Sequence, residues 1–359
     1  MTFSKQVHVG VTALLLTSTL AAGWAAYHYR EHLLSANQVT LRQQTDILNL
    51  ERELKNLDQW APGIVRSIAI KRDGIAPRQD AKSYNPTGSY LGYKPQPAAD
   101  GERVRFDKDG LPTRKYGDTF HYNPVTIAQY ALQAYGGADG PTPQFPVAVN
   151  KLLSMQSPDG SFRYDFPFAR YTTGEVYQPG WTSGMAQGQA MSVLARAYSK
   201  TGDQKLLEAG NRALNFMMLP FEQGGTATTL AHFPPERSNA PFIMEYPQDP
   251  PVYTLNGYMF SILGLYDWAL ITGSGEARRH AEEAIKTLKI LLPYYDLGVV
   301  SAYDLSYITI PKLRNGNRRT PHVGNGYHTV HIELLWALHK LTGEPMLLEY
   351  ADRWVSYAG

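Results

Sequence analysis

The stretch Leu255-Asn256-Gly257-Tyr258-Met259-Phe260-Ser261-Ile262-Leu263-Gly264-Leu265-Tyr266-Asp267-Trp268-Ala269-Leu270 runs into Ile271-Thr272-Gly273. Its Leu255, Tyr258, Met259, Ile262, Leu263 and Tyr266 recur at helical spacing and cover more than one face, as in a helix buried on several sides. Gly273 stands where such a helix ends, since glycine reaches a positive φ without a Cβ clash. The same stop recurs at Tyr135-Gly136, Thr201-Gly202 and Thr342-Gly343, so glycines 136, 202, 273 and 343 lie 66, 71 and 70 residues apart. Residues 185–198 and 332–341 are further apolar helices, and more charged helices follow over 203–218, 276–292 and 344–357. An apolar inner helix paired with an amphipathic outer one, four times over, predicts a mainly α fold. It is an (α/α) toroid or barrel of about four helical hairpins, with the inner helices walling a central cleft.

The segments that lead into the inner helices are unusual for connectors. They read Phe120-His121-Tyr122-Asn123-Pro124, Pro179-Gly180-Trp181-Thr182, Glu245-Tyr246-Pro247 and Gly326-Tyr327-His328. Equivalent places in four repeats converge on one rim, and helix N-termini there favour an anionic ligand. The expected groove is aromatic and anion-accepting. Aromatic residues make up 12% of the chain, and tyrosine and tryptophan in a cleft suit the C–H faces and hydroxyls of sugars.

A net charge of +2, with no basic tract, argues against a nucleic-acid partner. With no cysteine, disulfides, thiolate metal sites and a cysteine nucleophile are excluded. Residues 1–8 read as a tail, and 9–27 form an uncharged apolar run near the minimum length for crossing a bilayer. The expectation is an uncleaved transmembrane anchor, making this a single-pass membrane protein whose catalytic domain faces the periplasm or exterior, with the Golgi lumen as the alternative. Residues 28–60 read as a helical stalk and the proline-broken 61–118 as a small β-containing collar. Residues 64–70 and 104–106 are its candidate strands, the second followed by a turn at Asp109-Gly110. The helical domain is expected over 119–359.

Single residues leave alternatives open. Glu245 stands in an apolar loop, where a capping or ion-paired carboxylate competes with a catalytic one. Tyr303 and Tyr327 read equally as core tyrosines, and Asp304 as a cap. Arg170, in an apolar stretch, needs an anionic partner: a substrate carboxylate or, more commonly, a protein Asp or Glu. His328 and His331 have a spacing that could hold a metal but lack a nearby third ligand, so no metal and no cofactor are expected.

Residues 181–190, Trp-Thr-Ser-Gly-Met-Ala-Gln-Gly-Gln-Ala, closely resemble a run in the D-glucuronyl C5-epimerases of the heparan sulfate and heparosan pathway. Arg196-Ala197-Tyr198, Glu245-Tyr246-Pro247, Leu255-Asn256-Gly257-Tyr258-Met259, Tyr303-Asp304-Leu305 and Tyr327-His328-Thr329 continue the likeness in the same order. The resemblance implies an (α/α) barrel and a reaction at C5 of glucuronate within a polymer, giving iduronate. It places catalytic roles on Glu245, Tyr246, Tyr303 and Tyr327. With the aromatic rim, it marks Tyr122, Arg170 and Trp181 for substrate binding, and likewise Gln187, Asn256, His328 and His331. The partner implied is a uronic-acid-containing polysaccharide, and a homodimer is among the expected assemblies. Two departures stand out: the animal enzymes carry an intervening β-sheet domain that this chain lacks, and the family's Tyr-Asp-Leu-Arg reads Tyr303-Asp304-Leu305-Ser306 here. The lost arginine puts a carboxylate or sulfate contact in doubt, with Arg170 as a substitute. A polysaccharide lyase on the same fold and a non-catalytic polysaccharide-binding protein are the rival readings.

Overall fold

The computed structural model describes residues 76–93, 101–137, 140–170, 173–313 and 315–357. The chain divides into two units, Met1–Asp58 and Gln59–Gly359, and the described residues all belong to the second. The anchor expected over 9–27, the stalk over 28–60 and the strand over 64–70 lie outside them. Among the described residues no helix is long and apolar enough to cross a membrane. The expectation of a single-pass membrane protein is corrected on that finding, because a bilayer core demands about 20 apolar residues in one helix and the inner helices spend theirs against one another.

Four helical hairpins make up the body: α1 (Pro124–Tyr135) with α2 (Gln144–Met155), α3 (Gly184–Thr201) with α4 (Gln204–Met218), and α5 (Leu255–Thr272) with α6 (Gly275–Tyr295). After a single turn, α7 (Ser306–Thr309), the fourth pairs α8 (Asn325–Thr342) with α9 (Pro345–Ser356). Inner helices α1, α3, α5 and α8 pack side by side in that order, and each lies against its own outer partner. Helix α5 is buried from Leu255 through Ala269, as its several-sided apolar pattern requires. Where α3 meets α5 the backbones touch: a Cβ on Gly264 would sit 2.1 Å from the carbonyl oxygen of Gly188.

Three of the four repeat glycines end their helices left-handed, at φ 66° for Gly202, 75° for Gly273 and 70° for Gly343. Each N–H reaches back to the carbonyl four residues earlier, the αL stop. The preceding threonine repeats its part as well. Thr201, Thr272 and Thr342 each donate Oγ1 to the carbonyl four residues before and accept the N–H two residues ahead. Asp203, Ser274 and Glu344 then cap the outgoing helix with their side chains. Gly136 departs from this form. Its φ is −83°, and a side chain there would meet the carbonyl of Tyr93, so it is small for packing and not for a turn.

Before α1 lies an antiparallel three-stranded sheet of β1 (Val104–Phe106), β2 (Pro112–Tyr116) and β3 (Thr119–His121). The expected turn is present, with Gly110 at φ 75°. The third strand carries the sheet past the 118/119 boundary, and α1 begins only after Asn123 accepts the N–H of Thr126. Two short ribbons, β4 (Phe168–Ala169) with β5 (Val176–Tyr177) and β6 (Ala227–Thr229) with β7 (Pro241–Ile243), precede α3 and α5 respectively.

Candidate active site

Strand β7 delivers Met244 and Glu245 onto the start of α3, where the N–H of Gly184 donates to the Met244 carbonyl at 2.9 Å. Glu245 then lies over the first turn of α5. Only a glycine fits beneath it, since a Cβ at Gly257 would stand 2.2 Å from Glu245 Oε2. Three segments are laced beside it by backbone bonds: Leu255 to Tyr303, Leu305 to Val252 and Tyr303 to His322, all 2.8–2.9 Å. These bonds hold Tyr303 between the α5 entry and the loop ahead of α8.

Glu245 is 6% exposed, and its Oε2 is buried without a hydrogen-bond partner. Burial pushes its pKa up to about 7, with Arg170 and the Tyr246 and Tyr303 hydroxyls opposing the rise and Asp304 adding to it. Burial, then the Glu245 charge, holds Tyr246 and Tyr303 well above the usual tyrosine range, so both remain proton donors. The Tyr303 ring stands 4.2 Å from that of Tyr327. Glu245 and Tyr246 from one loop, Tyr303 from a second and Tyr327 from the first turn of α8 thus come into one cluster.

Arg170 enters it from β4–β5. Its guanidinium lies 4.6 Å from the Tyr246 ring centre, donates to Asp304 Oδ2 at 2.6 Å, and reaches Thr254 and Gln248. The protein carboxylate, rather than a substrate's, is therefore its resident partner. Asp304 also caps, taking the N–H of Ser306 at 2.9 Å. Trp181 stacks on Tyr164 with centroids 3.7 Å apart and lies 6.2 Å from Tyr246. Phe166 continues the ring contacts to Tyr116 and His121 of the sheet. Asn256, next to Gly257, keeps a buried Oδ1 without a partner.

Other expected binding residues are engaged elsewhere. Tyr122 donates to Asp107 and lies under Lys151. Gln187 is wholly buried, accepting from the N–H of Phe162 and donating to the carbonyls of Gly160 and Ala213. His328 and His331 are also wholly buried, and both place Nδ1 on the Ser301 hydroxyl. Sequence reading missed His322, whose ring is 4.8 Å from Tyr303 and 5.7 Å from Tyr327. Burial lowers its basicity, and no motif or spacing marks it.

Residues 156–356 match the D-glucuronyl C5-epimerase C-terminus family. The chain belongs to that family through this helical domain. The D-glucuronyl C5-epimerase of Caenorhabditis elegans is 33% identical over 226 residues, covering 60% of this chain and 35% of that protein. An uncharacterized protein of Methanocaldococcus jannaschii is 30% identical over 194 residues, covering 54% of this chain and 56% of its own. The chain thus spans only about a third to a half of the length of these curated relatives. Among solved structures, the cellobiose 2-epimerase from Spirochaeta thermophila DSM 6192 has a TM-score of 0.37 at 19% identity, over 60% of this chain and 55% of that one. That likeness is too slight to carry an argument.

Proposed function

We propose that the protein is a uronate C5-epimerase that converts D-glucuronate to L-iduronate residues within a heparosan-like polysaccharide. The observation that carries the reading is Glu245, a buried carboxylate whose pKa burial raises to about 7, gathered with three tyrosines in one aromatic cluster. The hydrogen on C5 is α to a carboxylate, so its removal leaves an enediolate that needs proton donors or cations beside it. A base working near neutrality is best served by a pKa near 7, and burial of Glu245 supplies that.

In this mechanism Glu245 takes the C5 proton, and Tyr246 donates a hydrogen bond to the developing enediolate oxygen. Tyr327 returns a proton to C5 from the opposite face, leaving a phenolate. Tyr303, in ring contact with Tyr327 and facing Glu245, relays the proton back and resets both groups. The Arg170–Asp304 pair holds the Tyr246 ring in place.

Incubation with heparosan in deuterated water tests the reading by NMR. Deuterium at C5 together with iduronate is the expected result, and Tyr327→Phe abolishes the iduronate. An unsaturated uronate, seen by its ultraviolet absorbance, would show a lyase instead. Binding without proton exchange would leave a non-catalytic polysaccharide-binding protein.

A further inference from the structure

Ser301 lies two places before Tyr303 in the connector between α6 and α7, and His328 directly follows Tyr327 at the start of α8. Ser301, His328 and His331 are wholly buried, and the proposed mechanism uses none of them. Their contacts fix the protons among them. The Ser301 N–H donates to His328 Nδ1 at 3.0 Å, so that nitrogen is bare. The ring's proton is therefore on Nε2, which donates to the Trp354 carbonyl of α9 at 3.0 Å. The Ser301 hydroxyl, 2.8 Å from the same bare nitrogen, points its own proton there. Its oxygen is then left to accept from His331 Nδ1 at 2.7 Å. His331 Nε2 has no hydrogen-bond partner, so this one hydroxyl is the polar hold on its ring.

We infer that Ser301 is a positioning residue for Tyr327: its hydroxyl, gripping both imidazoles, sets how α8 is turned about its axis and so how Tyr327 meets Tyr303. The inference rests on the function proposed above and deepens it, assigning a residue outside the cleft to the proton-returning step. Tyr327 and His328 are neighbours in a helix and point about 100° apart, while His328 and His331 share a face. Two rings of that face held on one fixed point resist rotation of the helix. The fixed point is itself anchored. Ser301 bridges to Asp296, and the next N–H, of Ala302, donates to the Tyr295 carbonyl at 2.8 Å. A tyrosine hydroxyl stands about 9 Å from its helix axis, so a turn of about 10° carries it about 1.5 Å. Misplacement by about 1 Å costs on the order of a hundredfold in rate. Without the hydroxyl, both nitrogens of His331 lack a partner in a wholly buried place, which favours such a turn.

The test follows C5 deuterium incorporation and iduronate formation together, with the full chain and heparosan in deuterated water. Glu245 can return a deuteron to the face from which it took the proton, whereas iduronate requires Tyr327 on the other face. Ser301→Ala is therefore expected to lower kcat for iduronate by about tenfold or more, with KM within about twofold and C5 incorporation largely kept. Ser301→Thr, which keeps the hydroxyl, is expected to restore most of the iduronate. A merely structural serine would lower both readouts by the same factor. That result would overturn the inference, as would an unchanged kcat or a loss confined to KM. Circular dichroism checks folding. Should Ser301→Ala fail to fold, His331→Leu fills the ring's place without its nitrogens and is expected to show the same split between the two readouts. Crystal structures of wild type and variant give a reading independent of activity. The separation of the Tyr303 and Tyr327 rings, 4.2 Å in the native chain, is expected to change by about 1 Å in the variant. An unchanged separation would sink the positioning role. A wild-type chain that leaves C5 unexchanged would refute the proposed function, and the ring separation would still decide the role of Ser301.

Discussion

Replacing Glu245 by glutamine is expected to stabilise the protein in alkaline solution and to leave its stability unchanged in acid. A carboxyl whose pKa moves from 4.5 in the unfolded chain to about 7 in the fold binds its proton more tightly when folded. Its contribution is full below 4.5, declines as pH rises toward 7, and is absent above it. Each unit is worth about 1.4 kcal/mol, so the wild-type chain loses about 3 kcal/mol across that window. The amide of Glu245→Gln carries no charge at any pH and escapes the loss. Urea unfolding at pH 4.5 and pH 8 measures the difference directly. Near-equal stabilities are expected at the lower pH, and about 3 kcal/mol in favour of the variant at the higher. In a chain of this size that corresponds to a rise on the order of 4 °C in melting temperature. A variant no more stable than wild type at pH 8 would refute the claim that an ionised Glu245 is desolvated. The stabilised variant is also expected to lose C5 exchange, which would separate the cost of the site from its use.

Arg196→Met removes the partner of Asp267 from a wholly buried ion pair at 2.7 Å, which also holds Tyr84. It should cost about 3–5 kcal/mol, read by urea unfolding. Burial already raises the pKa of Asp267 against the pull of Arg196, so the loss should be smaller at pH 5 than at pH 8, and adding Asp267→Asn should restore part of it. Gly188→Ala sets helix propensity against packing. Propensity favours alanine by about 1 kcal/mol, but its Cβ would lie 2.5 Å from the Ser261 Cα. A net loss of about 1–3 kcal/mol is expected, and a gain would mean the α3–α5 contact yields easily.

Three of the four hairpins were legible because each carries its own punctuation: a several-sided apolar helix, a glycine, then a charged helix. Gly136 was misread for the same reason, since a glycine demanded by a neighbouring carbonyl looks the same in sequence as one demanded by φ. The cluster of Glu245, Tyr246, Tyr303 and Tyr327 was reachable from the aromatic segments before the inner helices together with the family likeness. What sequence could not supply was direction. His328 and His331, three residues apart, share a helix face, but spacing does not say that this face meets Ser301 rather than the cleft. Gln187 sits within the motif of closest resemblance, yet it ties loop carbonyls together. Arg170 and Asp304 lie 134 residues apart, and nothing local in either one announces the other. The apolar run over 9–27 lies outside the described residues, and the single-pass reading built on it finds no support in the helices that are described.

The three Thr-Gly corners bear on how such a protein can change. Each is built from its own residues, with a hydroxyl, a left-handed glycine and a capping side chain completing one another within about four positions. None borrows a bond from the cleft residues, which lie toward the opposite ends of the same inner helices. The two ends of a hairpin are thus under separate control. A corner should be transferable from one repeat to another as an interchangeable part. The segments entering the inner helices can meanwhile be rewritten, lengthened or recharged without disturbing how the hairpins turn. Diversification in substrate would then concentrate at one end of the helices, and any drift in melting behaviour at the other.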